Sequence, residues 1–411
     1  MPKKCQTRVK LMTSFQLRTI AELFLLTAVI AYVFSSALLL VGVYAVIVCV
    51  LLARAQEGKP IIPETPLNIP LMLIIGSLLI SIAANGNWHE GVKGLHKWLR
   101  AILFFWASYD LLQTSHMQRK VGTALTIGFF IATADGLLQY FIGKDIIRGY
   151  EIGYVNSLIR VTSSFGYFGL FAIFLLVSMP LVMNRVAQIQ QPMVQRILTG
   201  LAMVLGLVCL YLTRTRGAWL AAVGMLIIYF LLQRKRWMMI LLVLGLITAP
   251  FVLPADLVFH SKKSTGIDKT IGHRLVLWRQ AINVIKAKPI AGCGLNTYVQ
   301  NIEKYNPSQD SYEVKNYYAH NGYLQHTAET GLVGILAFLF LIFRFYARVI
   351  PELIRRKPDF HDTNLMVFLS ITGYLFYMFF DTIFHNLAPF VILWLLLSWG
   401  LLTVPAKIRS S

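Results

Sequence analysis

The sequence predicts an all-α protein that crosses a membrane about twelve times, because spans of roughly 20 apolar residues recur along its length. Two further observations support that class. Of its 411 residues 57% are hydrophobic and only 14% are charged, where a soluble domain carries about a quarter charged residues. Most Lys and Arg residues fall in short segments between apolar runs, in alternate connections, as topology signals do. The formal charge of +20 therefore does not mark a nucleic-acid surface, which would gather its basic residues on a soluble module.

The first two spans form a tight hairpin, Ile20–Phe34 and Ala37–Leu52. Spans follow at Leu67–Ala84, Trp98–Leu112, Val121–Ile142, Phe165–Met183, Ile197–Thr213 and Gly217–Leu232. The last four are expected at Trp237–Leu253, Glu329–Ala347, Asn364–Phe384 and Leu387–Val404. Lys3, Lys4, Arg8 and Lys10 place the N-terminus on the cytoplasmic side, and the first apolar run reads as an uncleaved span. Arg54 and Lys59, Arg119 and Lys120, Arg185 and Arg196, Gln233–Arg236, Arg355–Lys357, and Lys407 with Arg409 repeat the sign. An even span number puts both termini inside. Residues 1–411 read as one transmembrane domain, with a large external loop over 254–328 between spans nine and ten. Within it "GHRLVLWRQAINVIKAKP" sets Leu275, Trp278, Ile282 and Ile285 at helical spacing, and Pro289 ends the helix. Cys5, Cys49, Cys209 and Cys293 form no CxxC and no evident pair, so they read as unpaired thiols.

The informative arginines are those on the wrong side for topology. Arg214 and Arg216, in "YLTRTRGAWLAAV", lie between two spans at the outer face. They are either snorkelling side chains that reach lipid headgroups or an anion site. Arginine suits the second, because its planar fork holds two phosphate oxygens and keeps its proton. Gly217 would admit a close backbone approach, and a helix starting there would add its dipole. Arg274 and Arg160 are two further outer arginines. Singly each reads as a surface charge; together they make a set of fixed cations. DxD, Walker A, HExxH and GxSxG patterns are absent from the sequence, so neither a metal nor another cofactor is expected.

The stretch "YYAHNGYLQHTAETGLVGILAF", Tyr317–Phe338, puts polar groups at the mouth of a span. Asn321, Gln325 and Glu329 recur every four residues and form one stripe on a helix. His326 stands three residues before Glu329, within hydrogen-bonding range on a helix. Gly331 and Gly334 allow close helix approach. The stretch is either a polar cap with satisfied side chains or the seat of a histidine general base. The six-residue spacing of His320 and His326 does not suit two metal ligands on one helical face. Asp381 and His385, expected at the end of the eleventh span, join the outer set; a carboxylate at that depth needs a partner.

"RTRGAWLA", "GHRLVLWRQAI", "KPIAGCGLNTY" and "AHNGYLQHTAETGLVG", in this order over Leu210–Phe340, resemble the O-antigen ligase/polymerase family of bacterial membrane proteins. The resemblance implies a GT-C-like helical fold. It implies glycan transfer from undecaprenyl pyrophosphate to a lipid A-core sugar, on the periplasmic face of a Gram-negative inner membrane. Inversion at the anomeric carbon, without metal or ATP, is also implied. The family's essential arginines fall on Arg216 and Arg274, and its essential histidine on His320. Arg214, Arg160, Asn321, Gln325, His326 and Asp381 are then the candidates for holding substrate. "TRG" at Thr215–Gly217 departs from the "SRG" common in the polymerase subgroup. Length, span number and loop position favour the ligase. Two alternatives stay open: a repeat-unit polymerase, and a transporter of lipid-linked sugars. Against the transporter, the polar groups gather at one face and in one loop, not near the midplane.

Overall fold

The computed structural model describes residues 12–155, 158–187, 192–235, 237–241, 244–245, 269–306, 317–356 and 358–402. Helices α1 (Ser14–Phe34) and α2 (Ser36–Gln56) form the expected hairpin. Ser35 ends the first, and its hydroxyl caps the second by accepting from the amide of Leu38. Next come α3 (Asn68–Asn85), α4 (Trp88–Leu111) and α5 (Ser115–Ile142). A small hairpin, β1 (Gly153–Val155) and β2 (Leu158–Arg160), pairs antiparallel with Gly153 opposite Arg160. Then follow α6 (Phe168–Ala187), α7 (Met193–Leu212) and α8 (Arg216–Leu232). After the part outside the described residues come α9 (Lys269–Ala287), α10 (Tyr298–Tyr305), α11 (Gly322–Arg356), α12 (Thr363–Tyr377) and α13 (Leu387–Leu402).

Seven of these helices, α1, α2, α3, α5, α6, α7 and α11, are long and apolar enough to cross a bilayer; α8, α12 and α13 are shorter apolar helices. The chain is a helical, polytopic membrane protein. A segment apolar on every side must be surrounded by other helices or by lipid. Helices α6 and α13 are surrounded by helices, with Phe171–Val182 and Pro389–Leu401 buried throughout. Elsewhere Leu73, Leu79, Val204, Leu336 and Phe343 stand largely exposed along the helices, where hydrocarbon can solvate them.

The two ends of the bundle differ in chemistry. One end carries ion pairs. Asp110 bridges Arg18 (2.6 Å) and Arg54, and Arg18 also binds Glu57 at 2.6 Å. Nearby in kind, Glu352 pairs with Arg355 at 2.7 Å and with Arg356. The other end gathers the connections that follow α1, α3, α5, α7, α9 and α12. The Ser164 hydroxyl donates to the carbonyl of Val33 (2.6 Å), the Ser81 hydroxyl to that of Glu329 (2.7 Å) and the Val161 amide to that of Leu212 (3.2 Å). All the sequence-selected outer residues lie at this second end.

Several expectations need correction. The β1–β2 hairpin departs from a purely helical chain. Helix α4 starts ten residues before the expected Trp98, because its first half is amphipathic and escapes a hydropathy reading. Helix α12 stops at Tyr377, so Asp381 stands in the connection that follows and His385 ends a short 3-10 turn, Ile383–His385, neither at the end of a span. Most of the expected ninth span, Trp237–Leu253, lies outside the described residues. So do 254–268 and 307–316 of the expected loop, and the N-terminal arm with Cys5.

Gly331 does more than admit a neighbour. Its φ of 69° and ψ of −168° break α11 into two helices, a conformation essentially restricted to glycine. A Cβ there would lie 2.0 Å from the carbonyl oxygen of Ile290. The kink separates the polar segment 322–330 from the apolar span that follows. Gly331→Ala is expected to lower stability by at least about 1–3 kcal/mol from backbone strain alone. Thermal unfolding of the detergent-solubilised variant checks this; an unchanged midpoint would show that the kink is not required.

Candidate functional site

The site begins with the backbone around His320. The Asn321 side-chain oxygen accepts from the amides of Tyr323 and Leu324, both at 3.0 Å, and so caps α11. The Asn321 amide donates to the Thr382 hydroxyl at 3.1 Å, and the Gly322 amide to the carbonyl of Met378 at 2.7 Å. These bonds pin the start of α11 onto the connection after α12. His320 is left at φ 46°, the left-handed region that side-chain-bearing residues seldom occupy. Its Nδ1 lies 3.0 Å from Asp381 Oδ1. A carboxylate only accepts, so the proton sits on Nδ1 and Nε2 is left as an acceptor.

Asp381 is buried and heavily bonded. Its Oδ1 also accepts from the Thr382 amide (2.8 Å), and its Oδ2 from the hydroxyls of Tyr377 (3.2 Å) and Tyr167 (3.4 Å). At Gly169 an added Cβ would sit 2.7 Å from Asp381 Oδ2, so a side chain there would displace the carboxylate. Burial, then Asp381, then its hydrogen bond raise the Tyr167 phenol well above its usual range, against the pull of Arg274 and Arg160. It therefore stays protonated and donates.

Four arginines converge on the same end. Helix α8 starts at Arg216, and an added Cβ on Gly217 would lie 2.5 Å from that of Phe380, the residue before Asp381. The α7–α8 turn holds Arg214 at φ 52° with its guanidinium 4.3 Å from the Tyr211 ring centre. Arg160, on β2, is buried, 4.4 Å from the Phe168 ring centre, and pairs with no carboxylate among the described residues. Burial lowers its pKa, and Arg216, Arg274 and Arg214 lower it further while Tyr167 opposes them. Arg274, on α9, faces the same region. It and His320 both act on His273, whose pKa burial has already lowered. The site thus holds concentrated positive charge beside one bonded histidine–carboxylate pair. Among the described residues, Nε of Arg160 and of Arg214 have no hydrogen-bond partner.

Gln325 and Glu329 form a separate, buried polar pair. Gln325 does continue toward Glu329, donating to Glu329 Oε1 at 2.9 Å while its own oxygen accepts from the Ala319 amide at 2.9 Å. Glu329 Oε2 accepts from the amide of Asn296 at 3.1 Å. Gln325 thereby steadies the backbone beside His320 and spends its amide doing so. Asn321 is the cap, not a member of the stripe. His326 makes no hydrogen bond to Glu329. It packs against Trp98 (ring centres 5.2 Å apart) and Phe338 (5.7 Å) instead, because it projects from a different side of the helix.

His385 sits 3.6 Å from Glu329 Oε1, beyond hydrogen-bond reach, and stacks on Tyr318 at 4.3 Å. Burial, with Lys97 and His326, pushes its pKa down to about 3. Below its ordinary value of about 6.5 the unfolded chain binds a proton that the folded chain refuses. Its contribution is therefore intact above pH 6.5 and erodes as pH falls toward 3. The melting midpoint of wild type is expected to drop between pH 7 and pH 4.5 more steeply than that of His385→Asn. Parallel curves would show that His385 does not set this dependence.

Comparison with known proteins bears on residues 201–339, which match the family model described as O-antigen ligase. A putative polysaccharide ligase of Rickettsia felis is 30% identical over 107 residues, 25% of this chain and 26% of that protein. The exopolysaccharide production protein ExoQ of Rhizobium meliloti is 29% identical over 153 residues, 36% of this chain and 34% of that protein. Over this segment the chain is similar to the O-antigen ligase family. The matches span only about a quarter to two fifths of the length of these relatives and of a third, a putative polysaccharide ligase of Rickettsia typhi at 29% identity and 40% of its length.

The segment that matches the family model holds Arg214, Arg216, Arg274, His320, Asn321, Gln325 and His326. Arg160 and Asp381 come from outside it and complete the geometry. The sequence reading did not single out Tyr167, Tyr377, Thr382, Phe380 or His273. Their hydroxyls and rings look like ordinary interfacial or helix-end residues in a linear sequence. Tyr377 does lie four residues before Asp381 in the chain, which is the one local signal that pairs them.

Proposed function

We propose that the chain transfers a glycan from a polyprenyl-pyrophosphate carrier to a sugar hydroxyl, as an O-antigen ligase acting on the lipid A-core. The observation that carries this reading is the His320–Asp381 pair, with the turn that carries Arg214 and Arg216 packed beside it where Gly217 meets Phe380. The donor is undecaprenyl-pyrophosphate-linked, and the site faces the periplasm of a Gram-negative inner membrane. In this reading the chain has about twelve spans in a GT-C-like arrangement, both termini are cytoplasmic, and 254–328 is the periplasmic loop.

The chemistry follows from the geometry. His320 Nε2 takes the proton of the acceptor hydroxyl as its oxygen attacks the anomeric carbon. Asp381, bonded to Nδ1, holds the ring and stabilises the imidazolium that forms. The bond from that carbon to the phosphate oxygen breaks, and the electron pair leaves on the pyrophosphate. The guanidinium groups are in place before that charge develops, Arg160 buried and the other three partly buried, which strengthens their effect over that in water. One displacement inverts the anomeric centre. His320 then releases its proton to solvent.

The test uses purified protein in detergent with labelled lipid-linked glycan and lipid A-core. Label moving to the core, and lost in His320→Ala, supports the ligase. The name of the ExoQ relative, an exopolysaccharide production protein, motivates the second reading, a repeat-unit polymerase. That reading predicts longer lipid-linked chains instead. Absence of any transfer without a sealed vesicle would favour a transporter and sink both.

A further inference from the structure

At the opposite, ion-paired end of the bundle lies a feature that the transfer chemistry does not use. A cleft of about 330 Å³ opens between α5 and α7, lined by Thr123, Ile127, Phe130, Arg185, Leu198 and Ala202 among others. Ile127, Phe130 and Leu198 are exposed there, so the cleft opens sideways to hydrocarbon. Arg185 at its end also lines a second pocket of about 200 Å³, with Ser115, Gln118, Arg119, Asn184 and Thr363. The first is mainly apolar, the second mixes those polar groups with Leu181 and Trp399, and one guanidinium borders both. Its position is fixed: Arg185 Nη2 donates to the Arg119 carbonyl and the Thr123 hydroxyl. Its guanidinium also lies 3.6 Å from where a Cβ on Gly122 would be.

From Thr123 to Phe130 is seven helical residues, about 10 Å of rise. That suits a length of acyl chain and is too short for a whole one, so the rest would run on along the lipid-facing surface. An amphiphile with its tail in the apolar cleft would bring its head to Arg185 and Arg119. Charge complementarity then requires the head to be anionic, and a phosphodiester matches the guanidinium fork. We infer that this paired cleft is a binding site for an anionic glycerophospholipid, with the phosphate at Arg185 and Arg119 and an acyl chain between α5 and α7.

The test titrates the detergent-purified full chain with phosphatidylglycerol, with phosphatidylcholine of identical acyl chains, with inorganic phosphate and with a polyprenyl phosphate, and reads the melting midpoint. Phosphatidylglycerol is expected to raise the midpoint saturably, with the other three giving little shift. Two variants at exposed positions probe the two halves without burying new bulk: Arg119→Gln for the head and Leu198→Trp for the tail. Each should weaken the apparent Kd for phosphatidylglycerol at least tenfold and leave glycan transfer unchanged. Equal shifts with both phospholipids, a shift with inorganic phosphate or polyprenyl phosphate alone, or wild-type affinity in both variants would overturn the assignment.

Discussion

Replacing His320 with alanine is expected to cut glycan transfer about 10²–10⁴-fold, the usual contribution of a positioned general base. The expectation rests on the ring's surroundings. The backbone at His320 is held at φ 46° by bonds on both sides, from Ala319 to Gln325 and from Asn321 to Thr382. Nδ1 is engaged by Asp381, so Nε2 is the free base. Alanine removes the base and leaves the arginines in place, so donor binding should persist while turnover is lost. Asp381→Asn should also fall, because an amide can turn its NH₂ toward Nδ1 and reverse the tautomer. Single-turnover transfer in detergent, with donor binding measured separately, checks both. Transfer by His320→Ala at near the wild-type rate would remove the histidine from the mechanism.

Arg216→Lys is the second large effect. Loss of one preorganised donor to a developing anion costs about 10²–10³-fold in turnover. Lysine keeps the charge but loses the fork that binds two phosphate oxygens. Arg216 stands at the first turn of α8, where the helix dipole also favours an anion, and Gly217 brings that turn against Phe380 beside Asp381. The charge-conserving variant thus separates bidentate geometry from mere electrostatic attraction. Steady-state transfer with lipid-linked glycan, alongside thermal unfolding to exclude a folding defect, reads the result. Arg274→Lys should behave similarly, and Arg160→Lys less severely, since Arg160 is drawn in from the β-hairpin. A wild-type rate in Arg216→Lys would mean that the guanidinium does not hold the diphosphate.

The hairpin of α1 and α2 was legible because Ser35 both stops one apolar run and caps the next. Helix α9 was legible from its spacing and from Pro289. Helix α4 was misplaced because its first half carries Glu90, Lys93 and Lys97, which hydropathy reads as loop although their helical spacing is sound. The polar stretch after Ala319 stood out by residue type, but its members do not form the single stripe that their spacing suggested. Asn321 is a cap, Gln325 and Glu329 brace the backbone, and His326 is enclosed by aromatic rings. Residue type announced that the segment was special. Only neighbours from other helices assigned each member its contacts.

By itself the sequence determined that the chain must be a bundle of apolar helices, since hydrocarbon tolerates no unpaired backbone. It also set the expectation that arginines and a histidine lie at the end opposite the connections rich in Lys and Arg. The tertiary structure alone decided that His320 meets Asp381, 61 residues away, and that Arg160 joins arginines from α8 and α9. Periodicity along a chain reports which face a residue takes on its own helix. It carries no record of the loop closures that bring distant faces together, and those closures set the distances on which a proton transfer or a diphosphate clamp depends.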